Sequence, residues 1–523
     1  MEPLRDTEAR PGGIRWGKVV DHESCIGCHA CSTACKSENE VPLSVNRTYV
    51  KYVDVGAFPA ARRAFQVTRC NQCADSPCTA ACPTAAMFAR DDGIVDFDKS
   101  ICIGCKACMA ACPYDAIFIN PQDHSAEKCN FCAHRVDVGL EPACVVVCPT
   151  EALMIGDLDD PGSRVAQMVH REPVTVRRPE KATGPKLFYR GAHQATLDPL
   201  AARRPQGGLF LWSEQLASAA EGGRGGPEML VAGHPGQPGP GAPNSSAAAL
   251  LSYDVPHRIP WDWRVSLYTL TKSIAAGAYL ALFFVPSPVD WLWRWGTPLV
   301  AMLFLALTGV LLLADLEHPR RFWMIFARPQ WRSWLVRGAF VIAAYGGLLA
   351  LHLLSTLLEA PWYRFIAPPA ALAAAATAVY TGYLFAQARA RDLWQSPLLP
   401  PHLLVQALLA GSAVLLLACH LFEPRAVEAL GWVLAVASLV HLLLVAGEIT
   451  LPHGTAHAAL AVREMTTGRY RNWFWPALLG AAAGCLVPWL APPAALVAAV
   501  AAVAGLGLYE HAYVQAGQCV PLA

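Results

Sequence analysis

The residues best suited to chemistry are cysteines, which fall in four groups of four between Cys25 and Cys148. The groups are Cys25, Cys28, Cys31 and Cys35; Cys70, Cys73, Cys78 and Cys82; Cys102, Cys105, Cys108 and Cys112; and Cys129, Cys132, Cys144 and Cys148. The first and third share the spacing C-x2-C-x2-C-x3-C, and the other two have a longer loop before the third cysteine. In bacterial ferredoxins this spacing lets three cysteines bind one [4Fe–4S] cluster while the fourth ligates its neighbour. The sequence therefore predicts four [4Fe–4S] clusters.

Structural zinc is the alternative for these cysteines. A zinc site needs only one closed set of four ligands, whereas three groups here share an x3-Cys-Pro ending, at Cys82, Cys112 and Cys148. Thiolates are also the soft ligands that iron–sulfur clusters require. The repeated ending favours clusters over zinc. Three further cysteines stand alone, and we expect them to be small buried hydrophobic residues: Cys419, Cys485 and Cys519.

The composition indicates that part of the chain lies in lipid. Of 523 residues, 54% are hydrophobic and only 15% are charged, a balance that is unusual for a soluble protein of this size. The formal charge of +1 offers no concentrated basic surface, so we expect no nucleic-acid partner. Residues 1–20 show neither an apolar core nor paired arginines. No export signal is therefore predicted, and the head is expected to stay in the cytoplasm unless a partner exports it.

The elements that must position these cysteines divide the chain into three parts. Residues 1–200 are predicted to form the cysteine-rich head with a C-terminal tail, and residues 201–262 a flexible linker rich in Gly and Pro. Residues 263–523 contain apolar runs long enough to cross a bilayer, which takes roughly 20 residues per helix. The predicted spans are 266–286, 297–315, 335–357, 367–387, 402–422, 427–448, 475–490 and 494–514.

Arginines in the short loops predict the orientation in the membrane. The loops on the head's side carry most of them, including Arg320 and Arg389, whereas the opposite loops carry Arg294, Arg364 and Arg425. Positive charge favours the cytoplasmic side. We therefore expect a multi-pass protein of the inner membrane with its head in the cytoplasm.

The head resembles the four-cluster iron–sulfur subunit of the dimethyl sulfoxide reductase family, through the phrases from Cys70 to Cys78 and from Cys102 to Tyr114. The resemblance implies that group one pairs with group four and group two with group three. The implied ligand sets are Cys25, Cys28, Cys31 and Cys148; Cys129, Cys132, Cys144 and Cys35; Cys70, Cys73, Cys78 and Cys112; and Cys102, Cys105, Cys108 and Cys82. It also implies a separate catalytic subunit with a molybdopterin cofactor.

The C-terminal part resembles the polysulfide-reductase type of quinone-reactive anchor, in the segments 261–278, 315–322 and 380–394. The expected fold is thus an α+β, duplicated ferredoxin-like head joined to an all-α bundle of eight transmembrane helices. The resemblance implies a quinone, either menaquinone or ubiquinone, bound near the head-side membrane surface. Its candidate contacts are Tyr268, Lys272, Asp315, Arg321, Arg337 and Glu448.

These polar residues also have a simpler interpretation, because Lys272, Asp315 and Glu448 could lie at helix ends and reach the interface. His352, His420 and His441 could ligate haem, although hydrogen-bonded core histidines are favoured and no haem is expected. We expect the protein to pass electrons between the catalytic subunit and quinone, without a site for the primary substrate. A redox-driven proton-translocating module and a hydrogenase electron-transfer subunit remain the alternatives.

The cluster prediction can be tested by metal content. We expect about sixteen non-haem irons per purified chain, because four complete ligand sets are present. Removing Cys105 should convert one cluster to a three-iron form or lose it, and the others should survive. Iron and zinc analysis with electron paramagnetic resonance measures both; about eight irons, or stoichiometric zinc, contradicts the prediction.

Overall fold

The computed structural model describes residues 13–56, 59–203, 249–285 and 290–523. The chain divides into two compact units. The first, the head, extends to Arg258 and includes Pro521–Ala523, and the second, the membrane unit, extends from Ile259 to Val520.

The head is a mixed α/β unit of short strands and helices. Its strands are β1 (Trp16–Asp21), β2 (Thr48–Val55), β3 (Arg62–Arg69), β4 (Met87–Ala89), β5 (Val95–Phe97), β6 (Ile117–Ile119), β7 (Ala126–Lys128), β8 (Leu153–Asp157), β9 (Val174–Thr175), β10 (Leu187–Arg190) and β11 (Leu250–Tyr253). Its helices are α1 (Ala30–Glu38), α2 (Pro77–Ala81), α3 (Ala107–Ala111), α4 (Ala133–Val136), α5 (Ala143–Val146), α6 (Arg164–Arg171) and α7 (Gln194–Leu197). Four small sheets result, with strand orders β8-β1-β10-β9, β11-β2-β3, β4-β5 and β6-β7.

Strand β1 lies inside the largest sheet of the head. All six of its residues are buried, and Val19 and Val20 are fully inaccessible, as suits a β-branched strand covered on both faces. It pairs antiparallel with β8 and parallel with β10. The segment 187–190, which the sequence assigned to a tail, is therefore an integral strand of the head.

The described residues 249–258, which lie within the predicted linker, belong to the head. Leu250–Tyr253 form β11, which pairs antiparallel with β2. His257 contacts Asp115 at 2.5 Å and Asp254 at 3.2 Å. Burial opposes the charge of this imidazole, but Asp254 and Asp115 outweigh it and raise the pKa of His257 to about 10. Residues 250–253 and His257, which lie within the predicted linker, thus contact the head; residues 204–248 lie outside the described residues.

The membrane unit is all α-helical. Its helices are α8 (Trp263–Ala281), α9 (Thr297–Asp315), α10 (Met324–Ala327), α11 (Trp334–Leu357), α12 (Tyr363–Gln387), α13 (Leu399–Phe422), α14 (Val427–Thr450), α15 (Ala456–Thr466), α16 (Arg471–Leu486) and α17 (Pro492–Gln518). In the described part of the chain, seven helical segments are long and apolar enough to cross a membrane. They are Trp263–Phe284, Leu292–Asp315, Trp334–Leu357, Tyr363–Gln387, Leu399–Phe422, Pro424–Thr450 and Pro492–Gln518.

The seventh predicted span, at 475–490, is not among these segments and corresponds to the shorter helix α16. It has 16 residues and is followed by a 3-10 turn at Val487–Trp489. Pro488 cannot donate a backbone hydrogen bond and would clash with a continuing helix. At 1.5 Å per residue, α16 alone is shorter than the roughly 30 Å hydrocarbon core.

Helix α8 is the centre of the membrane unit. Asp262 caps its start by accepting a hydrogen bond from the backbone N–H of Arg264, at 2.8 Å. The helix packs against α9, α12, α13 and α17. Its closest approach is to α13: a Cβ added to Gly277 would lie 1.6 Å from the Ala407 carbonyl oxygen, and one added to Gly411 would lie 1.9 Å from the Gly277 carbonyl carbon. Small residues allow such approaches in membranes.

Enlarging Gly277 should therefore destabilise the membrane unit. In Gly277→Val we expect a loss of about 1–3 kcal/mol or more, the usual cost of overpacking, since the backbones of α8 and α13 must separate. The measurement is thermal unfolding in detergent. Gly347→Val is the matched control because nothing lies within 4 Å of a Cβ added there; equal losses in both variants would contradict the close packing.

Candidate functional site

The cysteine groups lie on tight turns that lead into short helices. His29 and Lys106, each directly after the second cysteine of its group, have φ values of 60° and 61° and precede α1 and α3. These left-handed residues turn the chain sharply between the second and third cysteines. Of the sixteen grouped thiols, all are buried except Cys28, which is exposed, and Cys25 and Cys148, which are half-buried.

Thiols from different groups lie close together in the head. Burial raises the pKa of several of them, and neighbouring thiols raise it further because two negative charges repel. At Cys25 the neighbours are Cys148 and Cys28, and at Cys35 they are Cys129, Cys144 and Cys132. At Cys78 they are Cys70, Cys112 and Cys73, and at Cys108 they are Cys105, Cys82, Cys102 and Cys78. Each neighbourhood contains cysteines of two groups.

The resemblance implies four ligand sets, numbered first to fourth. The first is Cys25, Cys28, Cys31 and Cys148; the second Cys35, Cys129, Cys132 and Cys144; the third Cys70, Cys73, Cys78 and Cys112; and the fourth Cys82, Cys102, Cys105 and Cys108. Burial raises the pKa values of Cys31, Cys70 and Cys108, and a thiol of an adjacent set raises each of them further: Cys144 at Cys31, Cys129 at Cys70 and Cys78 at Cys108. Each set therefore has a thiol within electrostatic reach of the set numbered before or after it.

Cys144 of the second set differs from its neighbours in its charged surroundings. The Arg69 guanidinium donates to its Sγ at 3.1 Å, and the Lys18 ammonium lies 3.6 Å away. Burial opposes ionisation of this thiol, but Lys18 and Arg69 outweigh burial and lower its pKa to about 7. The second set thus holds a thiol prepared to act as a thiolate ligand.

The thiol sets suit a cluster better than a single ion. A zinc ion would draw four thiolates to about 2.3 Å, but in the described residues no three His, Cys, Asp or Glu side chains converge in that way. A cavity in the head is lined instead by all four thiols of the fourth set, Cys82, Cys102, Cys105 and Cys108, together with Met87 and Ile103 among others. Apolar walls and spaced thiols fit an iron–sulfur cluster.

The membrane unit buries two ionisable groups near one another. Lys272 is fully inaccessible, and its ammonium donates to the Ala378 carbonyl at 2.8 Å and to the Thr381 hydroxyl at 2.9 Å. The Glu510 carboxylate accepts from the hydroxyls of Thr269 at 3.0 Å and Ser273 at 3.4 Å. Both groups are expensive to place in a bilayer, which marks them as functional candidates.

The other sequence candidates divide between this buried centre and the surface. Tyr268 is buried on α8, one turn before Lys272, within electrostatic reach of Asp315 and Glu510. Asp315 is itself buried at the end of α9. Arg337 is exposed, donates to the Trp331 carbonyl at 2.7 Å and lies over the Trp334 ring. Arg321 is half-buried in a 3-10 turn after α9.

Comparison with known proteins matches both units to families. Residues 62–158 match the 4Fe-4S dicluster domain, and residues 253–521, half of the chain, match the polysulphide reductase NrfD family. The chain belongs to the polysulphide reductase NrfD family. The iron–sulfur unit and the anchor expected from the sequence are thereby confirmed as one fused protein.

Curated relatives of the head are subunits of reductases. A tetrathionate reductase subunit of Salmonella typhimurium is 41% identical over 38% of this chain and 80% of its own length. A polysulfide reductase chain of Wolinella succinogenes is 42% identical over 33% of this chain and 93% of its own length. The iron–sulfur subunit of the arsenate respiratory reductase of a Shewanella species is 36% identical over 34% and 96%.

Glu448 belongs to a second polar cluster of the NrfD-type unit. The Tyr509 hydroxyl donates to its carboxylate at 3.0 Å. The Tyr509 ring lies 4.9 Å from the ring of His441 and 5.7 Å from that of His402, and these two histidines share a 2.8 Å hydrogen bond between Nε2 of His402 and Nδ1 of His441. Tyr509 thus connects Glu448, by a hydrogen bond, with a histidine pair, by ring contacts.

The sequence analysis missed three residues of these NrfD-type clusters: Glu510, His402 and Tyr509. Glu510 lies within the predicted span 494–514, so an ionisable residue in an apolar run was a signal that could have found it. His402 stands at the first residue of another predicted span. Its pairing with His441 depends on the contact between α13 and α14, which spacing along the chain does not reveal.

Two of the three histidines considered for haem, His352 and His441, have protein partners. In His352, Nδ1 lies 2.8 Å from the Tyr279 hydroxyl and Nε2 lies 2.9 Å from the Trp293 carbonyl. Both ring nitrogens are therefore occupied. His441 is bound to His402, and His420 is half-buried near the end of α13.

Proposed function

We propose that this protein carries electrons one at a time between a separate catalytic subunit and a quinone in the membrane. The observation that supports this most is the row of four thiol sets, each beside the next, in the same chain as an NrfD-type anchor with buried ionisable groups. Such a row suits transfer between sites too far apart to react directly.

In this proposal each thiol set holds one [4Fe–4S] cluster, with the ligands of the four sets defined above. Each cluster supplies reversible one-electron storage. The thiolates bind iron, the surrounding burial excludes water, and backbone N–H groups stabilise the sulfur ligands: Gln72 donates to Cys70 and Met87 to Cys82, both at 3.4 Å.

The catalytic partner is proposed to dock beside the first set. Cys28 of that set is exposed, and Ile26, Val146 and Val147 close by in the chain are exposed as well. Exposed apolar residues beside a ligand set fit a partner interface. The relatives' names concern reduction of tetrathionate, polysulfide and arsenate, which favours a reductase partner, proposed to carry molybdopterin, over a hydrogenase.

The quinone, menaquinone or ubiquinone, is proposed to react beside Tyr268, Lys272, Asp315 and Glu510. Quinone chemistry transfers two electrons and two protons, so protonatable groups must stand near its oxygens. The Lys272 ammonium is held by a backbone carbonyl and a hydroxyl, and the Glu510 carboxylate is held by two hydroxyls. Arg321 and Arg337 are proposed to order the loops after α9.

The anchor is proposed to cross the inner membrane eight times, with α16 and its 3-10 turn as the seventh crossing. Arg471 and Trp473 begin this segment and Trp489 ends it, as suits a helix anchored at both interfaces. The arginine distribution supports a cytoplasmic head.

Charge-removing variants test the quinone site. In Asp315→Asn and in Lys272→Met, we expect at least a tenfold loss in the rate at which a soluble quinol reduces the clusters, because proton transfer or quinone binding is lost. Dithionite should still reduce the clusters fully. Stopped-flow absorbance on the purified holoprotein gives both rates, with exposed Glu428→Gln as the matched carboxylate control. Ordinary quinol rates in both variants would place the site elsewhere.

Proton translocation is a second candidate function, favoured by the Glu448–Tyr509–His441–His402 cluster. Glu448 and Tyr509 share one hydrogen bond and His402 and His441 share another, and ring contacts of Tyr509 join the two pairs inside the predicted spans. Titratable groups placed close together in a membrane are suited to proton relay.

Proteoliposomes distinguish this second function from simple electron transfer. With quinol as donor and ferricyanide as acceptor, His441→Phe should lower the number of protons released per electron while the electron-transfer rate stays within about twofold. A pH-sensitive dye and ferricyanide absorbance give the ratio. An unchanged ratio would restrict the protein to electron transfer.

A further inference from the structure

The second thiol set receives two positive charges at a single sulfur. Strands β1 and β3 supply Lys18 and Arg69, and helix α5 supplies Cys144. The Arg69 Nη1 lies 3.1 Å from the Cys144 Sγ, and the Lys18 Nζ lies 3.6 Å from it. Both cations are 1% exposed. Water therefore screens neither charge from the thiolate.

Among the residues that the structure describes, Lys18 and Arg69 contact the Cys144 sulfur and not a carboxylate. Beyond Cys144, the Lys18 ammonium contacts the face of the Phe131 ring, at 4.7 Å. Within the described residues, the Nε and Nη2 groups of Arg69 have no hydrogen-bond acceptor. A buried cation without a counter-charge is strongly destabilising, so the compensating charge must come from the thiolates and what they bind.

The third and fourth sets show a different arrangement. Neutral backbone N–H groups donate to Cys70 and Cys82. The nearby cations Lys128 and Lys186 donate to backbone carbonyls, those of Val95 and Gly93 respectively. These ammonium groups are therefore bonded to carbonyl oxygens and act on Cys70 through space rather than through a hydrogen bond.

We propose that Lys18 and Arg69 raise the reduction potential of the cluster held by the second set above those of its neighbours, so that an arriving electron rests there. This inference rests on the proposed cluster assignment. Reduction adds one electron, taken from a neighbouring cluster that is oxidised by one electron, and no bond or proton needs to change. The added negative charge is stabilised by two fixed, buried cations, and charge and hydrogen bonds at the sulfurs set such potentials.

An electron held on the cluster of the second set has a function in the proposed electron transfer to or from quinone. The second set lies between the first and third sets, inside the row. Electrons pass through the row singly, whereas quinone gives or takes two. An electron held in the row can wait until a second one arrives.

Redox titration of the holoprotein, followed by electron paramagnetic resonance, tests the proposal. In Lys18→Met and in Arg69→Met we expect one of four midpoint potentials to fall more than the others, by an amount equal to at least a tenfold change in the ratio of reduced to oxidised cluster, about 59 mV for one electron. Arg69 also lies within electrostatic reach of Cys31 in the first set, so its removal should lower the potential of that set to a smaller extent. Arg69→Lys, which keeps the charge, should largely restore the value. Cys144→Ser identifies which signal belongs to the second set.

The controls separate this inference from the cluster assignment. Lys186→Met should leave the potential of the second set unchanged. A wild-type protein with fewer than about sixteen irons would contradict the assignment itself. The potential-setting role would be overturned if Lys18→Met and Arg69→Met kept their full iron content while all four potentials stayed unchanged or shifted equally. Loss of iron in both variants would also overturn it and would assign the two cations to cluster assembly.

Discussion

Buried negative charge is the constraint on which the head depends. Four thiolate sets must be held away from water in a medium where an uncompensated charge is very costly. The chain meets this with cations inside the same core: Lys18, Arg69 and Lys128 are each 1% exposed or less. Cysteines also occupy a hydrophobic cluster of the head, beside residues such as Met87 and Ile117. The head is thus organised around its ligands more than around aliphatic packing.

The membrane unit depends on one helix in a comparable way. Helix α8 brings Gly277 into contact with α13 and also presents Thr269, Lys272 and Ser273 to neighbouring helices. Close backbone packing keeps lipid and water away from Lys272, which strengthens each electrostatic contact made there. Packing and chemistry are therefore coupled on a single helix, and a change that separates α8 from α13 is expected to affect both.

Fusion gives the two units a fixed stoichiometry. The polysulfide reductase chain of Wolinella succinogenes matches over 93% of its own length yet covers only 33% of this chain. What stands there as a separate polypeptide is here joined covalently to the anchor. A tether raises the effective concentration of one unit at the other without any new contact.

The sequence by itself determined the thiol groups, the cluster chemistry and nearly all the spans, because ligand spacing and apolar length are properties of consecutive residues. It also singled out Lys272 and Asp315 as candidate functional residues, because placing charge in lipid is costly. Only the tertiary structure brought Lys18 and Arg69 to Cys144, paired His402 with His441, and added β11 to the head. These contacts join residues that are distant along the chain, and no local pattern specifies which strands and helices will meet.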